Sequence, residues 1–180
     1  KFELEITQAW PGCMIDVING KNFWNKYWKK NKFQLFDYGT KAGQNLIVHG
    51  RSDDVINIRG HRLGSGEVES KVLEQNDIVE VSAISTKHKI EGDSLILFVV
   101  KKNKVIQSKV KKNIQNNILE SFGSYALPKE IYFVKELPKT KSGKILRRVL
   151  RTIVENKKSN LGDLSTILNN KSISKIKKII

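Results

Sequence analysis

Apolar and polar positions in the first fifty residues predict short strands around one helix. Residues 2–6 alternate between apolar and charged side chains, which is typical of a half-buried strand. Residues 22–29 carry aromatic side chains at helical spacing, and such a face usually packs against a core. Residues 33–36 and 46–49 have the composition of two further strands, joined by a turn at 39–44.

After residue 50 the pattern predicts a mixed set of helices and strands. In order, these are a short apolar strand at 55–58, a Gly-bounded loop at 59–64, a helix at 66–75 capped by Ser65, strands at 78–86 and 94–101, a basic helix over 110–122, a strand at 130–135 and a helix after residue 144. The run Leu95–Val100 is apolar throughout, which predicts burial of both faces of its strand. Elements in this order predict a small α+β domain.

Composition limits the kinds of protein this chain can be. Its 180 residues, 39% of them hydrophobic, suffice for one domain with a core, or for one domain and a piece of another. The single cysteine, Cys13, excludes an intrachain disulfide and fits a reducing, cytoplasmic location. No apolar run approaches the roughly 20 residues of a membrane span, and no signal peptide is visible. Because the sequence begins with Lys1, we expect a fragment of a longer chain.

The positive charge of the chain raises nucleic acid as a partner. The formal net charge is +15 and the pI is about 9.9. However, the lysines are spread among asparagine and isoleucine, and the aromatic residues are not interleaved with arginine as they are on stacking platforms. We therefore expect no nucleic-acid partner and no membrane partner, and the charge favours anionic substrates such as nucleotides.

The stretch Pro138–Arg148 is the strongest candidate for chemistry. Ser142 and Gly143 are typical of a turn, and the apolar residues that follow recur at helical spacing. Lys144 lies where the predicted loop becomes the helix, a place from which its ammonium group can project into a cleft. In a chain this rich in lysine, the alternative is a solvated surface side chain.

This stretch closely resembles the last core motif of the adenylate-forming ligases, and most closely that of the acetyl-CoA synthetases. The resemblance implies that Lys144 is the catalytic lysine of the adenylation half-reaction. It also implies control by acetylation of Lys144, which removes the charge of the side chain.

Two arginines on Gly-rich turns form a second candidate site. Arg51 and Arg62 suit phosphate or ribose oxygens, because a guanidinium group presents paired donors. The alternative is that both form structural salt bridges with Asp53, Asp54 or Glu67. From the residues alone, that alternative is favoured.

The stretch Gly50–Gly64 resembles the hinge motif of the same family, followed by its Gly-His-Arg-Leu-Gly loop. The resemblance implies that Arg51 contacts the nucleotide ribose, that Arg62 reaches the adenylate phosphate, and that the small domain rotates about Asp53. In the acetyl-CoA synthetases a preceding strand ends in Gly-Asp and supplies a ribose-binding acid. That pair is not intact here, and Asp37 is the candidate for the acid.

Coenzyme A is expected to bind beside this hinge segment. The resemblance places Gly60 beside the pantetheine tunnel, where a side chain would block the thiol. Arg59 replaces a small residue usual in the acetyl-CoA synthetases, and either narrows the tunnel or offers a charge to coenzyme A. In the acetyl-CoA synthetases an arginine contacts a phosphate of coenzyme A, and Leu119 stands at that position here. Lys111 or Lys112 is the alternative partner for this phosphate.

The resemblance also implies a division of the chain into three parts. Residues 1–52 are the β-rich end of a large N-terminal AMP-binding domain. Residues 53–156 are the mobile C-terminal domain, an α+β domain with a mixed sheet and flanking helices. Residues 157–180 are a tail whose segment 159–168 resembles that of the acetyl- and propionyl-CoA synthetases, and residues 171–180 are expected to be a frayed helix or disordered.

The implied function is that of an AMP-forming acetate–CoA ligase whose substrates are a short carboxylate, ATP with Mg²⁺, and coenzyme A. The N-terminal domain of the same chain is the expected protein partner, and the fragment alone is expected to be inactive. No bound metal is predicted, because Gln75 replaces the histidine that holds magnesium in some relatives. The alternatives are a ligase for propionate, acetoacetate or another short acid, and a stand-alone binding domain without catalytic activity.

Overall fold

The computed structural model of the chain describes residues 2–18, 20–88, 92–156, 161 and 164–180, the side chains of Asp53 and His88 excepted. These residues form two compact units, Lys1–Asp54 and Val55–Ile180.

The first unit is an antiparallel sheet with one helix. Its elements are β1 (Phe2–Ile6), α1 (Lys21–Tyr27), β2 (Trp28–Lys29), β3 (Lys32–Ala42) and β4 (Asn45–Arg51), followed by a 3-10 turn at Ser52–Asp54. Strand β3 pairs antiparallel with each of the other three strands. The predicted aromatic face is present: the Trp24 and Trp28 rings stack at 5.5 Å and those of Tyr27 and Phe33 at 5.7 Å.

The predicted turn at 39–44 is wrong in its length. Strands β3 and β4 stay paired as far as Ala42 and Asn45, so only Gly43 and Gln44 remain for the connection. Gly43 has a φ of +63°, which lets two residues reverse the chain. Pairing between the strands therefore extends beyond the residues that the turn composition suggested.

The second unit has one mixed sheet between two layers of helices. Its elements are β5 (Val55–Ile58), β6 (His61–Gly64), α2 (Ser65–Leu73), β7 (Ile78–His88), β8 (Gly92–Lys101), α3 (Gln107–Phe122), β9 (Glu130–Phe133), α4 (Arg147–Glu155) and α5 (Asn170–Ile179). The strand order is β6-β5-β8-β7, and β9 pairs with β8 in parallel. The predicted α+β class, with a mixed sheet and flanking helices, is confirmed.

Strand β8 separates the two halves of the core. Leu95, Leu97 and Val99 lie in one buried cluster with residues of α2 and α3. Ile96 and Phe98 lie in the other cluster with residues of α4 and α5. The predicted burial of both strand faces is thus confirmed, and it explains why every position of this run is apolar.

Two local expectations for this unit are wrong, and a third left two alternatives between which the structure decides. The stretch 59–64 is mostly strand, because β5 and β6 form a tight hairpin. Ser65 is the first residue of α2 rather than its cap, and the Glu67 carboxylate accepts a hydrogen bond from the Gly64 N–H at 3.2 Å. Of the two alternatives for residues 171–180, a frayed helix or disorder, the helix is present, and α5 buries Ile173 and Ile176 in the second cluster.

Candidate active site

Lys144 lies in the stem of a small hairpin loop. Lys139 and Ile145 form an antiparallel bridge, and the Leu146 N–H donates to the carbonyl of Pro138 at 2.9 Å. Between these, the Thr140 N–H donates to the carbonyl of Lys144 at 2.9 Å. Helix α4 begins only at Arg147, so Lys144 is held by strand-like bonds and not, as predicted, at the point where the loop becomes a helix.

The tip of this loop is a tight turn that leaves the lysine side chain in solvent. The Gly143 N–H donates to the carbonyl of Thr140 at 2.9 Å, and Gly143 has a φ of +85°. The Lys144 N–H donates to Oγ1 of Thr140 at 3.1 Å. The Lys144 side chain is exposed, and its Nζ forms no hydrogen bond or ion pair with the described residues. Its backbone is thus ordered while its charge stays available to a ligand.

Two partly buried acidic residues, one on α2 and one on β7, brace the ends of the stem. Arg147 donates to Glu69 of α2 through Nε at 3.1 Å and through Nη2 at 2.6 Å, and the same carboxylate accepts from the Ala83 N–H at 2.8 Å. Lys139 forms an ion pair with Glu80 of β7. Sequence reasoning missed both glutamates, because nothing local to them indicates partners so distant along the chain.

The segment 166–168 adds a third strand to the stem. Thr140 and Ile167 form an antiparallel bridge, the Lys141 N–H donates to the carbonyl of Thr166 at 3.0 Å, and the Leu168 N–H donates to the carbonyl of Lys139 at 2.9 Å. The segment 138–141 is therefore the middle strand of a three-stranded ladder. Four residues of the tail motif, Ser159, Asn160, Gly162 and Asp163, lie outside the described residues.

Glu136, just before this ladder, is ionised more readily than an ordinary glutamate. A hydrogen bond from Asn169, and then one from Lys175, hold the pKa of its carboxyl below the usual value of about 4.5. Because its pKa is lower in the folded state, ionised Glu136 stabilises the fold above about pH 4.5. This contribution is lost as the pH falls through the lowered value.

We expect Asn169→Ala to raise the pKa of Glu136, because the leading hydrogen bond to the carboxylate is removed. An NMR titration of the Glu136 carboxyl carbon in the parent chain and the variant measures the change. Identical titration curves would show that this bond does not form in solution.

In the first unit, the two predicted nucleotide-binding residues are neighbours. Asp37 of β3 and Arg51 of β4 are paired across the strands. Nη1 of Arg51 donates to the carbonyl of Leu35 at 3.0 Å, and its guanidinium lies 5.8 Å from the centre of the Phe36 ring. Phe36, directly before Asp37, has a φ of +56°, a conformation that favours glycine. A glycine preceding the acid, as in the Gly-Asp pair, suits this conformation.

The residues expected at coenzyme A lie on the β5–β6 hairpin of the second unit. Arg59 and Gly60 form its two-residue turn, with φ of +48° and +84°. A Cβ added at Gly60 would meet no atom within 4 Å, and Arg62 is exposed on β6. The His61 ring stacks on that of Tyr125 at 4.0 Å, a contact that sequence reasoning did not predict.

The predicted hinge residue Asp53 and Leu119, at the expected coenzyme A phosphate position, lie on different elements. The backbone of Asp53 lies in the 3-10 turn that ends the first unit, and its side chain is outside the described residues. Leu119 is 46% exposed on α3, which also carries the exposed Lys111 and Lys112.

Within the described ranges there is no cluster of three or more His, Cys, Asp or Glu side chains that could hold a metal ion. Over the same ranges, no helix has the length and apolarity needed to cross a membrane.

The chain is similar to known proteins over most of its length. A family profile described as the AMP-binding enzyme C-terminal domain matches residues 67–144. Acetyl-coenzyme A synthetase 2-like, mitochondrial, of Homo sapiens is 38% identical over 169 residues, which are 90% of this chain and 24% of that protein. Acetyl-coenzyme A synthetase of Leptospira biflexa is 36% identical over 168 residues, 90% of this chain and 26% of that protein.

A solved structure with the same fold is acetoacetyl-CoA synthetase from Streptomyces lividans, with a TM-score of 0.74 at 19% identity, over 89% of this chain and 24% of that one. At this identity the likeness shows the fold alone. The chain spans about a quarter of the length of the curated relatives it matches. These findings confirm the predicted resemblance: residues 67–144 match the C-terminal domain of the AMP-binding enzymes, and the chain is similar to the C-terminal part of the acetyl-coenzyme A synthetases.

Proposed function

We propose that the chain is the C-terminal part of an AMP-forming acetate–CoA ligase. In the first half-reaction, acetate attacks the α-phosphate of ATP, which enters with Mg²⁺, and acetyl-adenylate and pyrophosphate are formed. In the second, the thiol of coenzyme A attacks the acetyl carbon and AMP leaves. The observation that carries the proposal is the exposed Lys144 ammonium on a braced stem, within a chain related to acetyl-CoA synthetases.

Adenylation needs positioning and charge stabilisation more than covalent help from the protein. The attacking carboxylate and the α-phosphate are both negative, so a compact positive charge between them lowers the barrier. The Lys144 Nζ has three donors and can bond oxygens of both groups. Arg62 binds the phosphate, while Arg51 and Asp37, which face each other across β3 and β4, bind the ribose hydroxyls.

We further propose that one small domain serves both half-reactions. Residues 1–52 are the end of the large domain, residues 53–156 the mobile domain and residues 157–180 its tail. Rotation about Asp53 withdraws Lys144 after adenylation and presents the face carrying Arg59 and Gly60 to the thiol. The division of the chain into compact units between Asp54 and Val55, next to this residue, supports the proposal.

The first test is made on the native polypeptide that carries this sequence. An immunoblot is expected to show a mass several times the 20.6 kDa of the chain, and the purified polypeptide is expected to form AMP from acetate, ATP and coenzyme A. Trials of propionate and acetoacetate decide the acyl preference. The isolated chain is expected to be inactive, because the ATP phosphate loop and acyl pocket of these ligases belong to the large domain. A native mass near 20.6 kDa would instead indicate a stand-alone binding domain.

Gly60→Leu is expected to slow the thiol-dependent half-reaction at least tenfold, roughly 1.4 kcal/mol in barrier, and to spare adenylation. The reason is that a leucine side chain projects into the proposed pantetheine path. Single-turnover transfer from acetyl-adenylate to coenzyme A and acetate-dependent pyrophosphate exchange measure the two halves.

Gly60→Ala is the matched control. It introduces the same strain at positive φ, about 1–2 kcal/mol, with much less bulk. Equal loss in the two variants would mean that strain and not obstruction is responsible, and loss of pyrophosphate exchange would contradict the assignment of Gly60 to coenzyme A.

A further inference from the structure

Asn169 stands at the residue before α5, where an asparagine usually caps the helix with its side chain. Here the side chain makes no capping bond. Instead, Nδ2 donates to the carbonyl of Leu137 at 2.9 Å and to Oε2 of Glu136 at 3.1 Å. Oδ1 accepts from the Lys139 N–H at 3.0 Å. The amide thus uses both donors and its acceptor on the segment that leads into the lysine loop, which a carboxylate could not do.

These bonds act on the middle strand of the ladder that holds Lys144. The Asn169 side chain holds residues 136–139. The backbone groups of Thr166 and Leu168 form hydrogen bonds with the same strand, at Lys141 and Lys139. The other side of the strand pairs with residues 144–146. A shift of the middle strand therefore moves the backbone of Lys144 directly.

We propose that Asn169 is a positioning residue for adenylation. It acts by holding the strand at 138–141, to which the backbone of Lys144 is hydrogen-bonded. This inference rests on the proposed function of Lys144. Misplacement of a reacting group by about 1 Å can cost about 100-fold in rate, so a looser stem is expected to slow the step that uses the lysine.

A purely structural role for Asn169 predicts something different. Helix α5 is held to the sheet by the buried Ile173 and Ile176, and the Ser172 hydroxyl donates to the carbonyl of Asn169, not to its side chain. Removal of the amide therefore leaves α5 docked and loosens the stem. A general loss of folding would instead affect both half-reactions alike.

The test compares Asn169→Ala with Asn170→Ala in the native polypeptide. Asn170 is adjacent and exposed, and its side chain forms no hydrogen bond with the described residues, so its replacement controls for helix propensity and composition. Asn169→Ala is expected to lower acetate-dependent pyrophosphate exchange about 10- to 100-fold and to leave transfer from preformed acetyl-adenylate within about twofold. Asn170→Ala is expected to change neither. Equal loss in both halves, or no loss, overturns the proposal.

A double-mutant cycle with Lys144→Ala shows whether Asn169 acts through the lysine. In the Lys144→Ala background, Asn169→Ala is expected to cost nothing further in pyrophosphate exchange, whereas an independent structural effect would add to the loss. If Lys144→Ala alone has no effect, the function proposed for Lys144 fails, and this inference with it. If Lys144→Ala slows exchange and Asn169→Ala does not, only this inference fails.

Asn169→Asp keeps the test decisive should the alanine variant fail to fold. It preserves the shape of the side chain and the acceptor for Lys139, but it loses both donors and places a carboxylate beside Glu136. Thermal unfolding establishes that it is folded, and the same split between half-reactions is expected. A folded Asn169→Asp variant with full pyrophosphate exchange overturns the proposal.

Discussion

Lys144→Ala is expected to slow acetate-dependent pyrophosphate exchange about 100- to 1,000-fold in the native polypeptide, the usual effect of removing one group that stabilises developing charge. Transfer of the acetyl group from preformed acetyl-adenylate to coenzyme A is expected to persist, because Lys144 is withdrawn during that step in the proposed cycle. Lys144→Gln, which mimics acetylation by removing the charge, is expected to give the same split. Pyrophosphate exchange and single-turnover thioester formation are the measurements.

Lys141→Ala is the matched control for this experiment. Lys141 lies in the same loop and its side chain is also exposed, but it lies within the turn and before Gly143, whereas Lys144 follows Gly143. Its replacement removes the same charge from the same region and is expected to have little effect. If both lysine variants lose exchange equally, general attraction of the nucleotide is responsible rather than a specific contact. If thioester formation falls as much as exchange, domain rotation does not separate the two chemistries.

Phe98→Ala is expected to destabilise the second unit by about 3–5 kcal/mol, a large part of the 5–15 kcal/mol that stabilises a typical domain. Phe98 is fully buried in β8 beneath α4 and α5, and its ring lies 5.3 Å from that of Tyr132. Alanine leaves a cavity that rigid strands and helices on both sides cannot close. Denaturant unfolding followed by far-UV circular dichroism measures the loss, since four of the helices belong to this unit.

Leu119→Ala provides the comparison for Phe98→Ala. Leu119 is 46% exposed on α3, so its truncation opens no cavity and is expected to change stability by less than about 0.5 kcal/mol. A similar midpoint for the two variants would show that the face of β8 toward α4 and α5 is not closely packed.

The hydrophobic pattern predicted the fold well wherever one local signal decides the outcome. The apolar run of β8 indicated a strand buried on both faces, and the spacing of Val110, Ile114 and Ile118 indicated α3. The prediction failed where long-range pairing overrides composition. Gly39 is a residue typical of turns, yet it is paired with Val48 of β4. For residues 171–180 the sequence left a frayed helix or disorder open, and burial of one side of α5 decides for the helix.

For the candidate site, the resemblance supplied single residues but not their arrangement. It named Asp37 and Arg51 separately, whereas the register of β3 and β4 makes them opposite neighbours. It named Lys144 but not the partners of the stem, Glu69 and Asn169, since their contacts cross from other elements. The roles assigned to all of these residues remain predictions for the experiments above.

The three-stranded ladder at Lys144 has a consequence for synthesis on the ribosome. The strand at 138–141 and Lys144 leave the ribosome before residues 166–169. The sheet, α2 and α3 can therefore assemble while the hairpin stem at Lys144 still lacks its third strand, at 166–168. A nonsense mutation just after α4 would leave a protein with its whole sheet, but its lysine loop would lack the strand at 166–168 and Phe98 would lack the cover of α5. Such a truncated product is expected to expose apolar surface and aggregate, although every predicted catalytic and binding residue is present in it.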